Sequence, residues 1–250
     1  MSDNGIFKKL KNTINKIDKK NAFVISCAVI AIVFVSLFTP IYDISEISVE
    51  GNSVINSEVL IRASGILVGD SFFEADILGA KNRISKVAYV DNVKVRRVFP
   101  NKIRIIVTES RECAYISFVG SYIGIDSKGK ILEVKQQLDQ NSKPIVYGIK
   151  ISNFTIGSYI DVDNEDKKAV FFDILNYIED AAIEDSIYSM DITNTDNIFL
   201  VLKNKITVKL GNTDNMKYKI AYLKTVLKEI SNETGGTLDI SDTENVTYTS

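Results

Sequence analysis

The chain contains no histidine and two cysteines, Cys27 and Cys113, which excludes several common kinds of active site. Ser-His-Asp and Cys-His catalysis, histidine-based zinc sites and histidine pH switches all depend on an imidazole ring. The two cysteines also lack the spacing of a zinc, haem or iron-sulfur site. We therefore expect this protein to use no metal and no cofactor.

Carboxylates are the chemistry-bearing groups that the chain has in abundance. A glycosidase needs two acids about 5–10 Å apart and no histidine, so a membrane-anchored, carboxylate-dependent cell-wall enzyme is one hypothesis. Most of the acids, however, lie beside turn residues or at helix ends, where capping explains them without catalysis. The candidates are Asp126, Asp161, Asp163, Glu165, Asp166, Glu179, Asp180, Glu184, Asp185, Asp191 and Asp239.

An almost continuous apolar segment occupies residues 22–38. As a helix rising about 1.5 Å per residue, residues 22–42 would span about 31 Å, close to a bilayer hydrocarbon core of about 30 Å. We therefore predict a single transmembrane helix over residues 22–42. Its predicted anchor residues are Ala22, Phe23, Val24, Ile25, Ile30, Ile32, Val33, Phe34, Val35, Leu37 and Phe38.

Charges flanking this segment predict its orientation. Lysines dominate before it, whereas Asp43, Glu46 and Glu50 follow it, so the positive-inside rule places residues 1–21 in the cytoplasm and exports the remainder. A cleaved signal peptide is the alternative, but residues 36–41 offer no small-x-small cleavage site. The net charge of −2 argues against nucleic acid as a partner. The lysines that precede the apolar segment are Lys8, Lys9, Lys11, Lys16, Lys19 and Lys20.

The region after the anchor reads as strand, helix, helix, strand, strand. Residues 44–49 alternate as a strand, and Asn56 is the predicted N-cap of a short helix that Gly65 ends. Ser71 and Glu74 have the spacing of a capping box, which predicts that a second helix opens there. A hairpin with its turn at residues 100–101 follows. Its Arg96 and Arg97 are interpreted as one solvated face.

Strands and two amphipathic helices are predicted in the second half. Residues 122–132 read as a hairpin, and residues 198–202 and 206–210 as another. Apolar residues spaced three and four apart indicate one helix through residues 170–178 and another that contains residues 216–230. These stripes are Val170, Phe171, Ile174, Leu175 and Ile178, then Met216, Ile220, Leu223, Leu227 and Ile230.

Several short motifs follow one another along the chain: V-E-G-N at residues 49–52, S-G-I at 64–66, R-R-V-F-P at 96–100 and E-S-R-E-C-A at 109–114. These motifs, in this order, resemble the FtsQ/DivIB cell division family. The last motif departs from the family pattern, because a serine intervenes and Glu112 replaces the usual proline. Later segments, including I-D-S-K-G at residues 125–129 and L-G at 210–211, extend the resemblance over almost the whole chain.

The resemblance implies an α+β protein with a single transmembrane helix. The expected order is a cytoplasmic tail (1–21), the transmembrane helix (22–42), a βααββ POTRA domain (43–112) and a mixed α/β "β domain" (113–250). The β domain is expected to have a mainly antiparallel sheet, two amphipathic helices and a partner-binding C-terminal strand.

The function implied by the resemblance is that of a non-enzymatic scaffold at the division septum. Family members bind FtsL and FtsB/DivIC-type membrane proteins and help to control septal peptidoglycan synthesis. The septal peptidoglycan synthase is a further partner that the resemblance suggests. The final strands of family members pair with the partner. The corresponding residues are Leu238, Ile240, Val246 and Tyr248, although Leu238 and Ile240 could equally complete the core. A POTRA chaperone is a further alternative, but such proteins carry repeated copies.

Overall fold

The computed structural model of the protein describes residues 19–37, 42–139, 142–152, 154–230 and 232–249. Helix α1 (Lys19–Leu37) comes first. Within these ranges, no helix combines the length and the apolar character needed to cross a membrane. The predicted tail up to residue 18 and the anchor residue Phe38 lie outside the described residues. So do the side chains of Ile32, Val33, Val35 and Leu37.

The first folded unit has the predicted order of strand, helix, helix, strand, strand. Its sheet has the order β1-β3-β2, in which β1 runs parallel and β2 antiparallel to β3. Both helices contribute to one core, in which Leu60, Ile84 and Ile103 are fully buried. The elements are β1 (Glu46–Glu50), α2 (Ser57–Ser64), α3 (Ile77–Ile84), β2 (Val90–Val98) and β3 (Lys102–Glu109).

Local capping predictions were right for α2 and wrong for α3. The Asn56 side chain accepts a hydrogen bond from the Glu58 amide at 2.8 Å, and Gly65 ends α2 in the left-handed conformation, as predicted. Helix α3 does not open at Ser71. It begins after Asp76, whose carboxylate accepts from the Gly79 amide at 2.8 Å.

Arg97 explains why residues 71–75 do not form the first turn of α3. Its guanidinium donates to the carbonyl oxygens of Phe72 at 2.7 Å, Phe73 at 3.0 Å and Ala75 at 2.7 Å. A helix would need these carbonyls for its own amides. Arg96 and Arg97 are both exposed, as predicted, but the Arg97 side chain has the additional role of fixing this loop.

The second folded unit is built on a nine-stranded mixed sheet with the order β12-β11-β10-β9-β8-β7-β4-β5-β6. Most neighbouring strands are antiparallel, as expected, and β4 with β7, β7 with β8, and β10 with β11 are the parallel pairs. Its elements are β4 (Ala114–Phe118), β5 (Ser121–Ile125), β6 (Ile131–Lys135), β7 (Ile145–Tyr147), α4 (Glu165–Ala181), β8 (Ile187–Asp191), β9 (Ile198–Leu202), β10 (Thr207–Gly211), α5 (Met216–Glu229), β11 (Thr237–Asp239) and β12 (Thr247–Thr249).

Both predicted amphipathic helices bury their apolar stripes in this unit. Phe171 and Ile174 of α4 and Ile220 and Leu223 of α5 join the same core as the sheet residue Val208. Each of these side chains is at most 1% exposed. Burying a large apolar side chain contributes about 1.5–3 kcal/mol, so this layer of two helices on a sheet carries much of the stability.

A buried lysine joins the two folded units. Lys130, 2% exposed, lies in the turn before β6, and its ammonium donates to the carbonyls of Ser85 at 2.8 Å, Val87 at 2.8 Å and Val90 at 2.5 Å. The Ser85 acceptor is the C-cap of α3, where a cation is favourable, and Val90 is the first residue of β2. Burial lowers the pKa of Lys130, while the charge of Asp126 opposes that shift.

Further contacts between the units surround Lys130. Lys128 forms an ion pair with Asp91 of the first unit, and Tyr89 donates its hydroxyl proton at 2.5 Å to Glu112 in the segment that connects the units. Gly157 approaches the first unit so closely that a Cβ atom there would lie 2.0 Å from the Lys86 carbonyl oxygen. The two cores are therefore separate clusters held in direct contact by polar groups.

Glu109, at the end of β3, organises the loop between β1 and α2. Its carboxylate accepts from the backbone amides of Ser53 at 2.9 Å, Val54 at 2.9 Å and Ile55 at 2.8 Å. Burial acts to raise the pKa of Glu109, but the three amide hydrogen bonds outweigh it and lower that pKa below its ordinary value. The first residue of the E-S-R-E-C-A motif thus has a structural role.

Replacing Glu109 by glutamine should destabilise the first unit. A neutral amide has one acceptor oxygen and turns an NH₂ group toward the backbone donors, so we expect a loss of about 1–3 kcal/mol in the free energy of unfolding at neutral pH. Because the folded-state pKa is lowered, the carboxylate stabilises above the ordinary glutamate pKa, and this contribution disappears as pH falls through the folded-state value. The difference between the wild type and Glu109→Gln in urea denaturation should shrink accordingly. Exposed Glu74→Gln is the control, and an equal effect there would contradict this role.

Replacing Lys130 by methionine should loosen the contact between the units. Methionine retains the apolar stem but leaves three carbonyls without their donor, so the free energy of unfolding should fall by about 1–3 kcal/mol. Urea denaturation followed by circular dichroism would measure the change, with the exposed helix residue Lys224→Met as control. Unchanged stability of Lys130→Met would show that the ammonium is not needed.

Candidate partner-binding edge of the sheet

Strand β12 lies at one edge of the nine-stranded sheet and β6 at the other. Thr247, Tyr248 and Thr249 of β12 are all exposed, and β11 covers their inner side. Among the described residues, no strand pairs with the outer side of β12. An exposed edge of this kind can accept an additional strand from another chain.

The hydrogen bonds between β10 and β11 show which residues of β11 direct their backbone polar groups toward β10 and which toward β12. Gly236 accepts from the Thr207 amide at 3.0 Å, and the Ile240 amide donates to Lys209 at 3.0 Å. In a strand, successive residues point their backbone polar groups to alternate sides. The even-numbered residues of this segment therefore face β10, and its odd-numbered residues face β12.

Register then identifies the outward-facing position of β12. Thr237 lies opposite Thr249, and Asp239 lies opposite Thr247. Because Thr237 and Asp239 face β12, these are the hydrogen-bonded pairs of the antiparallel ladder. The N–H and C=O of Tyr248, between them, consequently point away from the sheet. A partner strand would form its backbone hydrogen bonds with these two groups.

The four residues predicted to contact a partner occupy different environments. Leu238 is 2% exposed and Ile240 is fully buried, so their side chains complete the core of the second unit. Val246 is partly buried against the same core. Tyr248 is 37% exposed, and its hydroxyl donates to the Gly235 carbonyl at 3.0 Å. The register places Leu238 directly opposite Tyr248, so only these two are brought together as a strand pair.

Charged side chains hold the strands behind β12 in place. Lys209 and Asp239 form an ion pair at 3.1 Å across β10 and β11. Burial opposes ionisation of Asp239, but hydrogen bonds from Ser241 and Lys209 lower the pKa of that carboxyl. Lys219, 2% exposed, donates to the Leu210 carbonyl at 2.8 Å, and its burial lowers its pKa.

Several of the acids considered as catalytic candidates have structural partners, whereas the buried Oε2 atom of Glu184 has no hydrogen-bond partner among the described residues. Asp126, 5% exposed, accepts from Ser110 at 2.9 Å and from two amides of its own turn. Asp191 accepts from the Thr193 amide at 2.8 Å, and Asp185 pairs with Lys143 at 2.7 Å. Across the described ranges, no cluster of three acidic or cysteine side chains has a geometry that could hold a metal ion.

Two structural features were not identified from the sequence. Thr247 and Thr249 flank Tyr248 in β12, and the alternating β-branched run that they form is the local signal for a strand. Lys130 gave no such signal, since its acceptors lie far away in the chain.

Comparisons with known proteins agree with this architecture. A POTRA domain of the FtsQ type matches residues 43–110, and the C-terminal domain of the cell division protein FtsQ/DivIB matches residues 114–244. The cell division protein DivIB of Clostridium acetobutylicum is 27% identical over 87% of this chain and 86% of its own length. DivIB of Clostridium botulinum strain Hall is 26% identical over 94% and 90%, and the cell division protein FtsQ of Corynebacterium glutamicum is 24% identical over 78% and 82%.

A solved structure of the major extracytoplasmic domain of DivIB from Geobacillus stearothermophilus also matches, at 13% identity over 51% of this chain and 98% of that one. Its TM-score of 0.34 is too low to carry an argument about the fold. The assignment rests instead on the two domain matches, which follow one another along the chain and together cover both folded units. The chain therefore belongs to the FtsQ/DivIB family of cell division proteins.

Proposed function

We propose that this protein is a non-enzymatic scaffold of the division complex, and that it recruits partners by strand addition at β12. The observation that carries the proposal is the exposed edge position of β12, with the backbone groups of Tyr248 pointing outward. Main-chain hydrogen bonds at such an edge supply affinity, and neighbouring side chains supply specificity. FtsL and FtsB/DivIC-type membrane proteins are the proposed partners, with an influence on the septal peptidoglycan synthase.

Because Leu238 and Ile240 are buried in the core, the proposal assigns direct partner contact to other residues. Their side chains support β11 from the inside, so their contribution to partner binding would be indirect. Direct contact would involve Tyr248 and the neighbouring threonines of β12, with Val246 at the margin. The proposed division into a tail (1–21), an anchor (22–42), a POTRA domain (43–112) and a β domain (113–250) leaves this edge on the exported side.

The apolar side chains of helix α1 support the proposal that residues 22–42 form a single-pass anchor, a segment that extends past the end of α1 at Leu37. These side chains are widely exposed, including Phe23 at 71%, Val24 at 64% and Ile30 at 64%. Large apolar side chains in water are costly, whereas a lipid bilayer would accommodate them on all sides of the helix. The lysines before the helix favour a cytoplasmic N-terminus and exported folded units.

Tyr248→Pro and Tyr248→Lys should weaken partner binding without unfolding the protein. Proline removes the outward N–H, which makes no bond inside the sheet, and proline is tolerated on edge strands. We expect at least about tenfold weaker binding, equivalent to about 1.4 kcal/mol, in copurification of the full chain with its two small coiled-coil membrane partners. Tyr218→Lys, at an exposed tyrosine of α5, is the matched control. Normal binding by Tyr248→Pro would exclude backbone pairing at this residue.

Depletion of the protein tests the cellular role. A scaffold of the division complex should be required for septation, so depleted cells are expected to grow as filaments. Normal septation would contradict the proposal. Release of soluble glycan fragments from peptidoglycan by the purified full chain would contradict the non-enzymatic role and favour the carboxylate-dependent alternative.

A further inference from the structure

The exposed apolar side chains of the first folded unit gather where the chain enters it from α1. Leu67 is 65% exposed, Val68 64%, Phe73 45% and Phe99 73%. They come from two separate loops, one between α2 and α3 and the other between β2 and β3. Together with Tyr42 they are called the apolar rim. Side chains of this kind in one contiguous patch mark a surface that is covered by something else.

Direct contacts bring the two loops to the entry segment. The Tyr42 ring lies 5.2 Å from the Phe73 ring and 6.4 Å from the Phe99 ring, centroid to centroid. The Phe72 amide donates to the Tyr42 carbonyl at 3.0 Å, and the Gly69 amide donates to the Ile44 carbonyl at 2.8 Å. These contacts place both loops beside the entry segment, around the point where the folded unit begins.

Hydrogen bonds hold the loops so that these side chains stay outside the core. Arg97 binds three carbonyls of residues 72–75, as described above, and the Asp70 carboxylate accepts from the Leu67 amide at 2.7 Å. The core beneath is already filled, with Phe72 4% and Ile44 1% exposed. The side chains of the apolar rim therefore cannot be buried in this core. Their exposure to water is unfavourable, so an apolar environment outside the protein would stabilise them.

Chain length restricts which environment that is. Helix α1 ends at Leu37, and the rim begins at Tyr42. Five residues reach at most about 18 Å even when fully extended. If α1 spans the bilayer, as proposed above, the rim must therefore lie close to the membrane surface. Aromatic side chains are enriched at the level of the lipid headgroups, where an apolar body and a polar edge are both accommodated.

We propose that the apolar rim inserts into the boundary between the headgroups and the acyl chains of the membrane that holds α1. This inference rests on the proposed membrane anchor. The attraction is apolar rather than electrostatic, because Asp43, Asp70 and Glu74 lie in the same entry segment and loop as the rim, where the basic residue is Arg97. A second attachment point beside α1 restricts how the POTRA domain rotates over the bilayer.

The absence of tryptophan from the chain allows a direct test. Phe99→Trp in the full chain, reconstituted into phosphatidylcholine vesicles, places one fluorophore in the rim. With lipids brominated near the headgroup end of their acyl chains, we expect its emission to fall about twofold, because an interfacial apolar face lies about 5–10 Å into this boundary. Val68→Trp provides a second, independent position on the other loop. Addition of anionic lipid should change neither result.

Two further variants separate the rim from the anchor. Ile30→Trp, in the middle of α1, should be quenched most strongly by bromines deep in the bilayer, whereas Tyr188→Trp on β8, 51% exposed, should not be quenched. Quenching of Ile30→Trp without quenching of Phe99→Trp and Val68→Trp would overturn the rim proposal and leave the anchor intact. Lack of quenching at Ile30 would overturn the anchor and the rim proposal together. Equal quenching at Tyr188 would also overturn the rim proposal, since the contact would not be specific.

Discussion

The buried ammonium group of Lys130 is the interaction on which the arrangement of the two folded units depends. Removing a charge from water is expensive unless its hydrogen-bonding capacity is satisfied, and three carbonyls of the first unit supply that satisfaction. Separation of the units would expose these groups and break the neighbouring ion pair of Lys128 with Asp91. The two hydrophobic cores therefore meet through a polar contact, although neither core extends into the other.

Each unit has a filled hydrophobic core but exposes a different kind of group at its surface. The second unit exposes backbone polar groups, and the first exposes apolar side chains. In the second unit, α4 and α5 cover the sheet, and the ladder ends at β12 with outward-facing backbone groups at Tyr248. In the first unit, the core closes beneath loops that keep Phe73 and Phe99 outside. Backbone polar groups are suited to pairing with a protein strand, and apolar rings are suited to lipid. The two proposed binding surfaces thus differ in chemistry: the β12 edge offers hydrogen-bonding groups to a protein strand, and the apolar rim offers hydrocarbon to a membrane.

The two helices of the first unit differ in how well local sequence predicts where they begin. Asn56 and Gly65 were identified correctly as the ends of α2, because a cap acts on amides within a few residues. Ser71 and Glu74 had the same kind of local pattern, yet α3 begins at Ile77. The difference comes from Arg97, which is distant in sequence and occupies the carbonyls that a longer helix would use. Likewise, alternation indicated a strand at Leu238 but did not distinguish a core side chain from a contact residue.

The family, the element order of the first unit and the apolar stripes of α4 and α5 could be read from the sequence, because each depends on residues that are neighbours in the chain or on motifs in a given order. By contrast, the position of β12 at the end of the sheet, the outward-facing backbone of Tyr248 and the binding of Lys130 to the first unit emerge only in the folded chain. Strand order and hydrogen-bond direction arise from contacts between segments far apart in the chain. The free energy of such contacts depends on which partners the rest of the fold brings within reach, and no local pattern of residues encodes that information.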